Sequence, residues 1–261
     1  MIQIFNEHQA YDTHFNYIKC LCGLMKNTNL QYTGLLKKVS ISNINEKKNL
    51  IDLTKKSLND EYKIVQIDED YSYASTSWLP IKSYYLIFNI LLTIEYIFKV
   101  QKSIFRLGHT SCVNEFTRKL NRKEIQFSEP ILNQVFDQSI LTYTVKSGAN
   151  LSSLTDKNDM YKMAIRKIAK YKIEDWKQKN NINLKKPAYK IKYQQHIESF
   201  TVSVFDFSYY MRIRSNYRDF AFINGVTTAE TAQYFNTFFN FTFLFVKVLE
   251  KMKKELINIR L

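Results

Sequence analysis

Three arginines carry the chemistry most worth placing. Arg212, Arg214 and Arg218 lie in the stretch RIRSNYRDF. Arg214 and Arg218 are spaced i, i+4 and share a helical face, with Arg212 elsewhere on the helix. Two guanidiniums one turn apart can grip a phosphate through paired N–H donors, or can pair with carboxylates. Asp219 follows directly and can hold one of them in an ion pair, so a purely structural reading, an Arg/Asp lock between helices, stands beside the functional one. Tyr209, Tyr210 and Tyr217 offer ring faces either to stacked bases or to core packing.

The histidines divide by position. His109 follows Gly108 at an expected helix start, where it either caps the helix or brings a proton-exchanging imidazole to the arginines from another part of the chain. His196 precedes Arg212 by 16 positions on what reads as one long helix, about 24 Å and too far for cooperation. His8 and His14 are six apart and share no face. No His, Cys or carboxylate grouping has metal-ligand spacing, and Cys20 and Cys22 have no second pair to complete a zinc site. The 5 glycines occur singly, which excludes a glycine-rich phosphate loop, and no Gly-x-Ser-x-Gly elbow occurs. The expectation is therefore no metal and no cofactor.

Charge narrows the partners. Across 261 residues, 38 Lys and Arg stand against 24 Asp and Glu, a net +14, which favours RNA or another polyanion. Residues 146–200 hold 13 basic against 5 acidic side chains and so carry most of the surplus. There Arg166, Lys167 and Lys170 alternate with Tyr161 and Tyr171, a pattern suited to a groove that tracks a phosphate backbone. The same surplus suits an acidic protein partner, or a solvated helix face.

The elements that must position these residues read as helical. With only 5 Gly and 3 Pro, the turns of a many-stranded β fold are missing, while 19 Phe and 18 Tyr supply bulky packing. The spacing predicts helices over residues 6–26, 44–58, 77–104, 110–120, 131–143, 156–179, 194–222 and 227–257, with one short extended segment at 62–67 and loops at 68–77 and 180–187. Asp156 and either Thr227 or Thr228 are the expected N-caps, Glu230 lies three residues beyond Thr227 as a capping box requires, and Gly225 fits a positive-φ C-cap. Phe235, Phe238, Phe239, Phe241, Phe243 and Phe245 cover more than one face of the last helix, as a bundle core or a homodimer interface requires. The apolar runs at 84–98 and 234–249 fall short of the ~20 residues that span a bilayer, so no integral membrane segment is expected. The first fifteen residues lack a basic region followed by an apolar one, and three cysteines suit reduced thiols, which together read as cytoplasmic.

Three stretches together resemble the HEPN superfamily, helical bundles of prokaryotic toxins, phage-defence proteins and RNA-processing factors. SYYLIFNILLTIEY at 83–96 is similar to the family's first helix with its paired tyrosines. GHTSCVNEF at 108–116 is similar to the His-led segment that opens the next helix, and RIRSNYRDFAF at 212–222 with the closing helix is similar to the family's Arg-rich end. The resemblance implies an all-α HEPN-like bundle built from residues 78–145 and 194–261, with an extra helical region at 1–77 and a basic insertion at 146–193, all in one composite domain. It also implies RNA binding in a defence or toxin–antitoxin setting. In the family an Arg followed four to six residues later by His, doubled across a dimer, cleaves RNA without metal. Here those positions are Tyr217, Arg218, Asp219, Phe220 and Ala221, none a histidine. The expectation is weak or no nuclease activity. The alternative is a metal-independent ribonuclease in which Arg214 and Arg218 hold the phosphate and His109 or Tyr217 exchanges the proton. A third reading is a non-catalytic homodimeric interaction protein.

Overall fold

The computed structural model describes residues 7–145, 156–216 and 225–261. Among these, the chain forms eight α-helices and one two-stranded sheet: α1 (Glu7–Lys26), β1 (Leu30–Tyr32), α2 (Lys48–Ile67), α3 (Asp70–Lys99), α4 (His109–Asn121), β2 (Ile125–Phe127), α5 (Lys157–Lys179), α6 (Pro187–Glu198), α7 (Phe205–Asn216) and α8 (Thr228–Arg260). The all-α expectation holds. The β element lies elsewhere than expected: β1 and β2 pair antiparallel with Leu30 opposite Phe127 and Tyr32 opposite Ile125.

Two long helices make the centre. α3 and α8 form the most extensive pairing, α1 and α2 pack on α8, and α7 packs on α3, α4 and α5. From Leu86 to Ile97 every residue of α3 is buried. That is possible because its polar side chains are satisfied locally: Asn89 Nδ2 donates to the Tyr85 carbonyl and Thr93 Oγ1 to the Asn89 carbonyl. Of the six phenylalanines of α8, Phe235, Phe238, Phe239, Phe241 and Phe245 are buried, so these rings turn into the chain's own core. α3 is long and apolar enough to cross a membrane by length and composition, and most of its apolar window is packed inside the bundle.

Several boundaries differ from the sequence reading for identifiable reasons. Residues 62–67 extend α2, because Leu58, Tyr62 and Val65 continue a helical spacing that the local alternation obscured. α3 starts at Asp70 and carries Pro80 within it; Thr76 and Leu79 are fully buried there, and tertiary burial outweighs a cost of about 3 kcal/mol for an internal proline. It stops at Lys99, where Val100 takes a left-handed φ of 51° and donates its N–H to the Tyr96 carbonyl. Residues 131–143 form two 3₁₀ turns instead of an α-helix, and Phe136 bridges Val202 between the two stretches. The left-handed cap expected at Gly225 turns on residue 224, which lies outside the described residues.

The largest departure separates α6 from α7. Ser203 Oγ accepts from the Phe205 N–H, and an Asp206 carboxylate oxygen accepts from the Ser203 N–H at 2.9 Å, a reciprocal box that starts a new helix. No continuous helix therefore joins His196 to Arg212, and the 24 Å separation expected along one does not apply; His196 instead stacks on Trp176 with ring centroids 3.9 Å apart. By contrast, Asp156 caps α5 through the Asn158 and Asp159 N–H groups, and Thr227 with Glu230 completes the box at α8, both as expected.

Candidate nucleic-acid interface

Arg212, on the last turns of α7, projects toward the paired tyrosines of α3. Its guanidinium lies 5.1 Å from the Tyr84 ring centroid, 5.6 Å from Tyr85 and 5.4 Å from Tyr209, and its Nη1 donates to the Tyr85 hydroxyl at 3.2 Å. Its Nε–H is shielded from water without a hydrogen-bond partner, and no carboxylate among the described residues pairs with it. A cation held by ring faces and one neutral hydroxyl keeps its charge unneutralised and leaves Nη donors to an anion.

His109 enters the same cluster from the first turn of α4. Its Nδ1 shares a hydrogen bond of 2.8 Å with the Tyr84 hydroxyl, and its ring packs 4.4 Å from Phe88. Gly108, not His109, is the N-cap of α4, so the imidazole serves the cluster and not the helix end. Burial, then the nearby Arg212 and Lys179 charges, hold the imidazole below its ordinary pKa, so it stays neutral at pH 7. Tyr84 moves the other way: burial raises its phenol well above the usual range and keeps it protonated. Thr110 Oγ1 lies 3.2 Å from the Tyr209 hydroxyl and ties α4 to α7 beside the site.

Lys179, the last residue of α5, completes the group. Burial lowers its pKa, but the Asp175 carboxylate at 2.7 Å and the Tyr209 hydroxyl outweigh that and hold it raised. Three cationic or proton-exchanging side chains from α4, α5 and α7 thus converge on tyrosines of α3 and α7.

The other sequence candidates lie apart from it. Two positions along a helix turn a side chain by about 200°, so Arg214 faces away from Arg212 and covers the Tyr171 ring at 4.3 Å. There Arg214 and Lys167 face α1, where burial first, and these two charges next, push His14 down to about 3. Lys167 also lies over the Tyr171 ring at 5.3 Å. Arg166 donates its Nε–H to the Leu141 carbonyl at 3.0 Å, while Lys170 is exposed. Tyr161 is fully buried and Tyr171 nearly so, hence neither offers a face to solvent. Tyr217, Arg218 and Asp219 lie outside the described residues.

Tyr84, Tyr85 and Lys179 joined the site without being singled out for it. The signal was the adjacency of two tyrosines, since neighbouring residues on a helix point about 100° apart and can straddle the edge of a core. Tyr84 is buried and Tyr85 is exposed, as that geometry requires. Among the described residues no group of His, Cys, Asp or Glu is placed to hold a metal ion. No protein-family model, curated protein or solved structure matches this chain.

Proposed function

We propose that this chain is a HEPN-like RNA-binding protein of a prokaryotic defence or toxin–antitoxin system, cytoplasmic, with little or no nuclease activity. The carrying observation is Arg212: a guanidinium with no carboxylate partner among the described residues, set beside the exposed ring of Tyr85. A phosphate would take the free guanidinium donors, and an unstacked base would lie on Tyr85. The HEPN resemblance rests on segments 83–96, 108–116 and 212–222; their described parts lie in α3, α4 and α7, which pack on one another. Titration of single-stranded RNA against salt tests the reading. Wild type should lose affinity steeply as salt rises, and Arg212→Ala should bind at least tenfold more weakly; a flat salt dependence removes RNA from the account.

A ribonuclease reading is favoured by one specific observation, the meeting of His109 with Arg212 in a cluster built from separate helices. Attack by a 2′-hydroxyl would need the lone pair on Nε2, hence the tautomer whose Nδ1–H donates to the Tyr84 oxygen. Incubating RNA with wild type, His109→Ala and Arg212→Ala in the presence of a chelator decides it. Cleavage by wild type alone supports the reading, while equal cleavage by all three, or by none, ends it.

A further inference from the structure

We infer that the segment running from Lys179 through the first half of α6 is a second RNA-contacting surface, an arm that leads a single strand to the Arg212 cluster. This rests on the reading of RNA as the polyanion. From Trp176 to Ile197 the chain has six lysines and no carboxylate. Lys185, Lys186, Lys190 and Lys192 are exposed, and none forms an ion pair among the described residues.

α6 buries only Ile197 among its twelve residues and meets α5 through a few side chains. There His196 stacks on Trp176, Tyr193 packs 6.4 Å from the same ring, and Lys192 lies 5.9 Å from it while donating to Asn180 Oδ1 at 2.9 Å. A helix with so little core contact is not kept basic for packing.

Its charge begins at the candidate site: Lys179 lies against Tyr209 and lowers the pKa of His109, and the lysine-bearing turn follows at once. Twelve helical residues cover about 18 Å, long enough for several nucleotides of a strand to lie along them. An anionic membrane is the competing occupant, but Leu184 and Ile191 are the only large apolar side chains exposed on the arm, which leaves no continuous apolar face to enter an interface. A single strand fits better than a duplex because Tyr85 can stack only on an unpaired base.

The experiment compares the full chain with a variant carrying Lys185→Gln, Lys186→Gln, Lys190→Gln and Lys192→Gln, and with Arg212→Ala, each titrated with a labelled 20-nucleotide single-stranded RNA at several salt concentrations. The quadruple variant should keep the wild-type Tm and lose at least tenfold in affinity. Its salt slope should fall by up to about 3, at about 0.7 for each phosphate no longer neutralised. An unchanged affinity and slope overturn the arm, even if Arg212→Ala weakens binding and so upholds the site. Loss in the quadruple variant with none in Arg212→Ala upholds the arm and fails the Arg212 reading. A duplex of equal length that binds as tightly overturns the single-strand assignment. Wild-type binding to phosphatidylserine vesicles but not to RNA overturns both and gives the surface to a membrane.

Discussion

At the two ends of α7 a cation is handled in opposite ways. Near its start, Lys172 is buried and its ammonium is saturated, donating to Asp206 Oδ1 at 2.8 Å, the Thr201 carbonyl at 2.8 Å and Asn114 Oδ1 at 3.1 Å. Near its end, Arg212 has one hydrogen bond and three ring faces, with no carboxylate among the described residues. The first arrangement consumes every donor and joins α5, α4 and α7. The second leaves donors unused at a half-exposed edge. Charge alone does not separate the two; the count of satisfied donors does, and the proposed RNA contact at Arg212 rests on that difference.

The contrast can be broken most forcefully at Asp206. Asp206→Ala should destabilise the chain by about 3–5 kcal/mol, because Lys172 would remain buried without its counter-charge. Adding Lys172→Met should recover much of that loss in urea unfolding; no recovery would mean that the lysine is not the source of the damage.

Acid should act next. His14 has a folded pKa near 3 against an unfolded value of about 6.5, with Lys167 and Arg214 as the charges that oppose its protonation. Above pH 6.5 both states are neutral and the group contributes no pH dependence. Between pH 6.5 and 3 only the unfolded state takes the proton, so stability should fall as pH falls, by up to about 1.4 kcal/mol per pH unit. His14→Gln should flatten that limb, and an unaltered acid limb would place the effect elsewhere. His109 adds to the same direction, since its pKa is also held down.

At Arg212 the expectation reverses that at Asp206. Arg212→Ala should reduce RNA affinity by at least about 1.4 kcal/mol while moving unfolding stability by no more than about 1 kcal/mol. A large stability loss with unchanged RNA binding would return Arg212 to the fold and collapse the comparison.

Smallest is the cap of α8. Thr227→Ala removes the acceptor of the Glu230 N–H and should cost about 1 kcal/mol, measured as a lowered Tm, with RNA binding unaffected.

How far the chain could be read in advance follows from what each signal depends on. α1, α5 and α8 were legible because their evidence is local: a periodic apolar stripe, Asp156 ahead of its first turn, and Thr227 three residues before Glu230. The α6–α7 break was equally local, in Ser203 and Asp206, but was masked by the continuous apolar run around it. The 3₁₀ turns after β2 were not legible, since Phe136 takes its partner from Val202, 66 positions away. The site divides in the same manner. His109 and Arg212 were recognisable by residue type, whereas their meeting across α4 and α7 depends on both packing against Tyr84.

By itself, the amino-acid order determined that this protein is helical, aromatic-cored and basic, because side-chain periodicity, caps and charge are properties of neighbours along the chain. Only the tertiary structure decided which cations are used up and which are left over. Whether a lysine or arginine finds a carboxylate, a carbonyl or only a ring depends on what the other helices bring within about 3 Å of it, and no local pattern encodes that.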